Sequence, residues 1–130
     1  DELEVNKKLK IKSCESLFNK NSKHLHTTSL VKYPVFDKGK NYSGANILKK
    51  KMLLDFIEKN FLKELKILKK TIIIPLGNTV SSTIEYLNNK YDLKLACFLK
   101  GFPHPSGANA RKNIQFKENK TSLIKLLKNR

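Results

Sequence analysis

Residues 71–77 (Thr-Ile-Ile-Ile-Pro-Leu-Gly) form a continuous apolar run closed by a glycine. A strand of that composition is stable when covered on both faces, which is the environment of a parallel sheet. Residues 93–98 (Leu-Lys-Leu-Ala-Cys-Phe) repeat the strand pattern. Between them, Asn78 or Thr79 offers a helix cap, and Val80, Ile84 and Leu87 follow at helical spacing up to an Asn88-Asn89 break. Parallel strands joined through a helix cross over with a right hand. This pattern sets the expected fold class: an α/β chain with a short parallel sheet.

The flanking segments extend the alternation. Residues 24–36 are rich in β-branched and aromatic side chains and stop at Asp37-Lys38-Gly39, which predicts a strand leading into a loop. Residues 41–46 are turn chemistry. Over residues 47–69, Leu54, Ile57, Phe61, Leu65 and Leu68 recur every three or four positions, predicting one long amphipathic helix with Asp55 and Lys59 placed as an i,i+4 pair. A last helix is expected at about residues 122–127. The sum is a three-layer sandwich with helices on both faces of the sheet. Residues 1–23, rich in Lys and Asn with weak alternation at Leu9 and Ile11, read as a loosely ordered arm or short strand. No repeat or linker divides residues 24–130, so they are expected to form one domain.

Composition narrows the function classes. A chain of 130 residues, 39% hydrophobic, can build one modest core. It contains no run of roughly 18 apolar residues, so no spanning helix and no membrane partner are expected. Cys14 and Cys97 form no CxxC pair, which excludes a zinc ribbon or a disulfide framework and points to a reducing, cytoplasmic compartment. The chain does not begin with Met and is expected to be part of something longer. Its formal net charge is +16, but only two of the cations are Arg, and richness in Lys and Asn reflects genome base bias as readily as function. Distribution is more informative than the total. Residues 94–130 hold nine basic residues against Glu118 alone, a balance that favours a polyanionic partner.

The segment following the second apolar run is the most unusual part of the chain. Two prolines bracket His104 in Phe102-Pro103-His104-Pro105, and Ser106, Gly107 and Asn109 follow at the carboxyl end of a predicted strand. Ligands of open α/β sheets bind at that end. The loop offers an imidazole, a hydroxyl, an amide and backbone N–H groups, with Arg111 and Lys112 in reach of phosphate. A histidine between prolines is also an ordinary turn residue, and both readings stand on the residues alone.

In this context, residues 101–109 (Gly-Phe-Pro-His-Pro-Ser-Gly-Ala-Asn) resemble the His-Pro-Ser loop of the uracil-DNA glycosylase superfamily. Residues 27–34 (Thr-Thr-Ser-Leu-Val-Lys-Tyr-Pro) are similar, more loosely, to the family's second strand. The resemblance covers about residues 24–130. It implies a base-excision hydrolase acting on DNA, with His104 stabilising negative charge on a departing base and with no metal or cofactor required. Pro105 and Ser106 would grip phosphates around the extruded nucleotide, Gly107, Ala108 and Asn109 would lie in the minor groove, and Arg111 would act as wedge or phosphate contact beside Lys112. Ser29 stands where several branches read the uracil edge with Asn, and one hydroxyl cannot both donate and accept as an amide does. Tyr33 and Tyr42 are candidates for base stacking.

The family's water-positioning Asp or Asn turn has no counterpart, because Pro34, Pro75, Pro103 and Pro105 follow Tyr, Ile, Phe and His. The expected sheet therefore lacks the family's first strand, to be completed by residues 1–23, an upstream segment or another chain. An alternative is a glycosylase-like module that binds DNA or RNA without catalysis. A third reading makes the helix over residues 47–69 an interaction element for an acidic membrane surface or a partner protein. Other features read as structure: the turn at Gly77 as a turn, Lys49-Lys50-Lys51 as a solvated helix face, and His24 with His26 as neighbours on a strand with no third ligand for a metal.

Overall fold

The computed structural model describes residues 1–129. Its α-helices are α1 (Val5–Lys8), α2 (Lys51–Lys59), α3 (Phe61–Leu68), α4 (Asn78–Tyr91) and α5 (Lys112–Lys128). The strands are β1 (Phe36–Asp37), β2 (Lys40–Asn41), β3 (Ile72–Ile73) and β4 (Cys97–Phe98), and 3-10 turns occupy Cys14–Phe18, Ser22–His24 and Ile47–Lys49. The chain is thus of mixed α/β type with short sheets of few strands.

Both predicted apolar runs supply strands, and they pair in parallel with Ile72 opposite Cys97 and Ile73 opposite Phe98. The connection between them is α4, as the crossover pattern requires. Backbone bonds extend the contact at both ends, from Ala96 N–H to Lys69 O (2.8 Å) and from Leu99 N–H to Ile73 O (2.9 Å). Alternation along the strands separates two cores. Ile73 and Phe98 pack with Leu53, Ile57, Phe61, Leu65, Ile84 and Leu87 of α2, α3 and α4. Ile72, Cys97 and Leu99 face the other cluster, with Leu3, Val5, Leu123 and Leu127. The far end of the first run departs from expectation, since Ile74 and Leu76 are 39% and 43% exposed rather than covered.

The amino-terminal segment belongs to that second core. Leu3 and Val5 are buried against α5, and the Asp1 carboxylate accepts hydrogen bonds from Ser13 Oγ (2.8 Å) and Cys14 N–H (2.7 Å). Residues 1–23 are therefore packed turns, not a loose arm or a strand. Cys14 and Cys97 form no disulfide among the described residues, and no helix among them is long and apolar enough to cross a membrane.

Four predicted elements take other forms or bounds. The strand over residues 24–36 is absent: Ser22–His24 is a 3-10 turn, residues 25–35 belong to no strand, and only β1 joins β2 in an antiparallel hairpin across Lys38 and Gly39, whose φ values are 51° and 75°, with Tyr42 N–H donating to Val35 O (2.8 Å) just beyond it. β-prone residues form a strand only beside a pairing edge, and no strand pairs with residues 25–34. The long helix over residues 47–69 is broken into a 3-10 turn, α2 and α3. At the second break Asn60 Nδ2 donates to Phe56 O (2.8 Å), the local bonding by which Asn competes with a helix. The predicted Asp55–Lys59 pair does not form among the described residues. Helix α4 instead runs through Asn88-Asn89 to Tyr91 and ends at Asp92 in the left-handed conformation, φ 44°. Helix α5 is ten residues longer at its start than the predicted 122–127.

Segment 25–35 is held by side chains. Leu30 is buried in the first core, and Glu64 of α3 accepts from His26 Nε2, Thr28 Oγ1 (3.1 Å) and Lys32 Nζ (3.0 Å). His24 and His26 therefore share no strand face. Burial pushes the Glu64 carboxyl up, but the hydrogen bonds from His26, Lys32 and Thr28 outweigh that and hold it below its ordinary value. A carboxylate whose pKa falls on folding stabilises the fold above its unfolded pKa, and the contribution is lost as pH falls through the folded value.

Two outcomes follow from this packing. Leu99→Ala, at a fully buried position between sheet and α5, should lower unfolding free energy in urea by about 2–5 kcal/mol. In acid titrations followed by circular dichroism, Glu64→Gln should lose less stability than the wild type as pH falls from the ordinary carboxylate range through the lower folded value.

Candidate functional site

The carboxyl ends of β3 and β4 carry the two loops that meet. Beyond Ile73 the chain turns at Gly77 into α4, and beyond Phe98 it runs through Gly101 to Arg111 into α5. One backbone bond ties them, Gly77 N–H to Phe102 O at 3.1 Å. Gly77 has φ 95° and ψ 167°, a region open essentially to glycine alone. A Cβ placed there would lie 3.0 Å from His104 Cβ and 3.2 Å from Cδ2. The imidazole therefore rests directly on the bare backbone of the turn that opens α4. No side chain caps the first turn of α4, which leaves backbone N–H groups beside the histidine.

The loop is built around His104 by short-range bonds. Ser106 N–H donates to His104 Nδ1 (3.2 Å). Asn109 Nδ2 donates to His104 O (3.0 Å) and to Gln115 Oε1 (3.0 Å), and Lys112 Nζ donates to Pro105 O (3.1 Å). Asn119 Nδ2 holds the loop's start through Gly101 O (2.9 Å), while Phe102 packs edge-on to Phe116. An acceptor role fixes the tautomer of the neutral ring: Nδ1 carries the lone pair and Nε2 carries the proton. His104 is exposed, and its Nε2–H makes no hydrogen bond among the described residues. The arrangement is a fixed outward N–H donor beside uncapped helix amides.

Of the residues singled out from sequence, His104, Pro105, Ser106, Asn109 and Lys112 are brought together. Gly107 is exposed at the loop tip, where an added Cβ would meet nothing within 4 Å. Arg111 immediately precedes α5, is exposed, and makes no ion pair among the described residues. Ser29 and Tyr33 lie elsewhere. Ser29 is exposed on segment 25–35, and Tyr33 packs edge-on to Phe56 of α2 at 5.9 Å between ring centroids. No hydrogen bond or ring contact joins either residue to the His104 loop among the described residues. Tyr42 is likewise occupied, donating through its hydroxyl to Ala45 O (2.5 Å).

Sequence reasoning missed Gly77, Gln115 and Asn119 as parts of this site. Gly77 was legible as a turn, but its contact with His104 spans 27 positions of chain. Another glycine, Gly44 with φ 84°, brings the loop before α2 to within contact of Thr79 in the first turn of α4.

The fold and site define an α/β chain with a histidine loop at the carboxyl end of a parallel strand pair. Over 116 residues it is 39% identical to the uncharacterized protein YoxB of Bacillus subtilis (strain 168), in an alignment covering 87% of this chain and 45% of YoxB. The chain thus spans less than half the length of that curated relative. No family model matches it, and no solved structure matches it.

The close approach at Gly77 yields a direct test. Gly77→Ala should cost about 1–3 kcal/mol of stability and shift the His104 imidazole resonances. Gly107→Ala, where space is open, should leave the melting temperature unchanged.

Proposed function

We propose that the chain is the base-binding portion of a uracil-DNA-glycosylase-like hydrolase, a three-layer α/β fold that acts on a nucleotide extruded from DNA. The observation carrying this reading is the bond from Ser106 N–H to His104 Nδ1, which leaves Nε2–H as an outward donor. Cleavage of an N-glycosidic bond leaves negative charge on a carbonyl oxygen of the departing base. A donor already fixed toward that oxygen binds the anion more tightly than the neutral base, and the difference lowers the barrier.

The surrounding residues supply the grip. Pro103 and Pro105 limit backbone freedom on either side of the imidazole. Backbone N–H groups of the loop and of the first turn of α4 suit phosphate oxygens. Lys112, bonded to the carbonyls of Pro105 and Ser106, holds positive charge at the loop, and Arg111 extends outward without a carboxylate partner among the described residues. Gly107 and Asn109 occupy the tip that would enter the minor groove. Ser29, distant in bonding from this loop, is not assigned a part in reading the base.

Residues 101–117 contain no Asp or Glu, so the group that positions water comes from outside the loop. In this proposal an upstream segment or another chain supplies it, adding as a strand beside Ile74 and Leu76, whose side chains are open. The same lack of a carboxylate favours the second reading, a glycosylase-like module that holds DNA or RNA without cutting it.

An oligonucleotide with one deaminated base, incubated with the protein and then treated with alkali, separates the two. The enzyme reading expects strand cleavage at an abasic site, slowed by about 10²–10³-fold in His104→Ala with nonspecific retention of DNA unchanged. Arg111→Ala should mainly weaken salt-sensitive binding, reducing the slope of log affinity against log salt by about 1. If His104→Ala and Arg111→Ala behave alike, the division of roles is wrong. Retention without any abasic product, even when a water-positioning segment or chain is supplied, selects the binding module.

A further inference from the structure

The break at Asn60 turns α3 away from the line of α2 and opens a cleft of about 350 Å³ between that elbow and segment 25–35. Its floor is apolar, formed by Leu30 and Phe61, both buried in the first core. Two aromatic rings stand at its wall. Tyr33 is 69% exposed and meets Phe56 nearly perpendicular, at an interplanar angle of 78°, so one ring face stays open to solvent. That exposure places a flat apolar surface beside a floor of the same character.

The charges around the cleft select its occupant. Glu64 reaches the rim, but its carboxylate is committed to His26, Thr28 and Lys32. Lys63 lines the cleft and makes no ion pair among the described residues. Asn60 spends its Nδ2 on Phe56 O, which leaves Oδ1 as an acceptor at the same rim. A flat ring, an apolar floor, a free ammonium and an amide oxygen together match a planar heterocycle with an anionic group attached. A ligand in which each flat heterocycle adjoins an anionic group is nucleic acid, and Lys63 offers that group a cation at the rim itself.

We infer that this cleft takes one unpaired base of a single-stranded nucleic acid, stacked on Tyr33 with the adjoining phosphate on Lys63. The site is separate from the His104 loop and does not depend on glycosylase activity. Stacking of this kind tolerates any base, because every base has a π face.

The test uses a thymidine octanucleotide and an abasic strand of equal length and charge. On the wild-type chain the octanucleotide should shift the Tyr33 ring resonances upfield, and the abasic strand should not. Tyr33→Ala, at an exposed position, should weaken octanucleotide binding about tenfold without changing affinity for the abasic strand, and Tyr33→Phe should restore it. The Tyr33 shift should appear whether or not the protein releases any base from a deaminated oligonucleotide, so failure of the hydrolase reading leaves this result intact. An unmoved Tyr33 resonance, or equal affinity of wild type and Tyr33→Ala for the octanucleotide, overturns the proposal.

Discussion

The candidate site depends on the register of one parallel strand pair. Opposition of Ile73 to Phe98 turns both toward α2, α3 and α4, while Ile72 and Cys97 turn toward α5 and the amino-terminal segment. A slip of one residue in β4 would exchange these faces, driving Phe98 into the smaller cluster and exposing Leu99 to the larger one. It would also move every later residue of the loop by about 3.3 Å along the strand direction. The bond from Gly77 N–H to Phe102 O forms only in the observed register, and that bond sets His104 on the glycine. Core packing thus determines where an exposed side chain stands. The bare backbone at Gly77 is the second half of the constraint, because a side chain there would be strained at φ 95° and would crowd His104 at 3.0 Å.

What could be read from sequence follows from how local each signal is. Strands β3 and β4 and helix α4 were legible because a covered strand must be apolar and a crossover helix must show a stripe. The place of the His104 loop was legible because it follows directly on the second apolar run. Helix α5 was only half legible: residues 112–121 carry few apolar side chains, so periodicity is weak, and their helix is secured by Asn119 to Gly101 O and by Phe116 on Phe102. Leu3 and Val5 were invisible as core because two apolar residues around a glutamate give no period. Segment 25–35 misled in the opposite direction. Its composition suits a pleated surface, but a strand also needs an edge, and that edge is a property of the rest of the chain.

The contact of Gly77 with His104 lay outside any local pattern. Turn chemistry at residues 75–79 indicated a helix start, and nothing in those residues indicated what would rest against it. The same holds for Tyr33. As a sequence position it belonged with the base-recognition residues, whereas in the fold it stands over α2, beside Phe56.

Electrostatics ties these regions together. Seven of the acidic side chains are engaged with lysine or histidine: Glu2, Glu4, Asp37, Glu58, Glu64, Glu85 and Asp92. Most are on the amino-terminal segment and on α2, α3 and α4, where Glu58 also accepts from Tyr86 and joins α2 to α4. Three of these pairs draw on Lys94, Lys100 and Lys120, and the cation excess is denser, though no larger in total, toward the loop after β4 and along α5, where Glu118 is the single acidic residue. Interactions of exposed charges fade beyond roughly 8–10 Å at physiological salt, so a polyanion responds to local excess rather than to total charge. The two candidate contacts differ in kind on this account. At His104 the field attracts phosphate and a fixed N–H donor discriminates among what arrives. At Tyr33 most neighbouring charges are neutralised, Lys63 supplies one cation, and the open ring face makes the larger contribution.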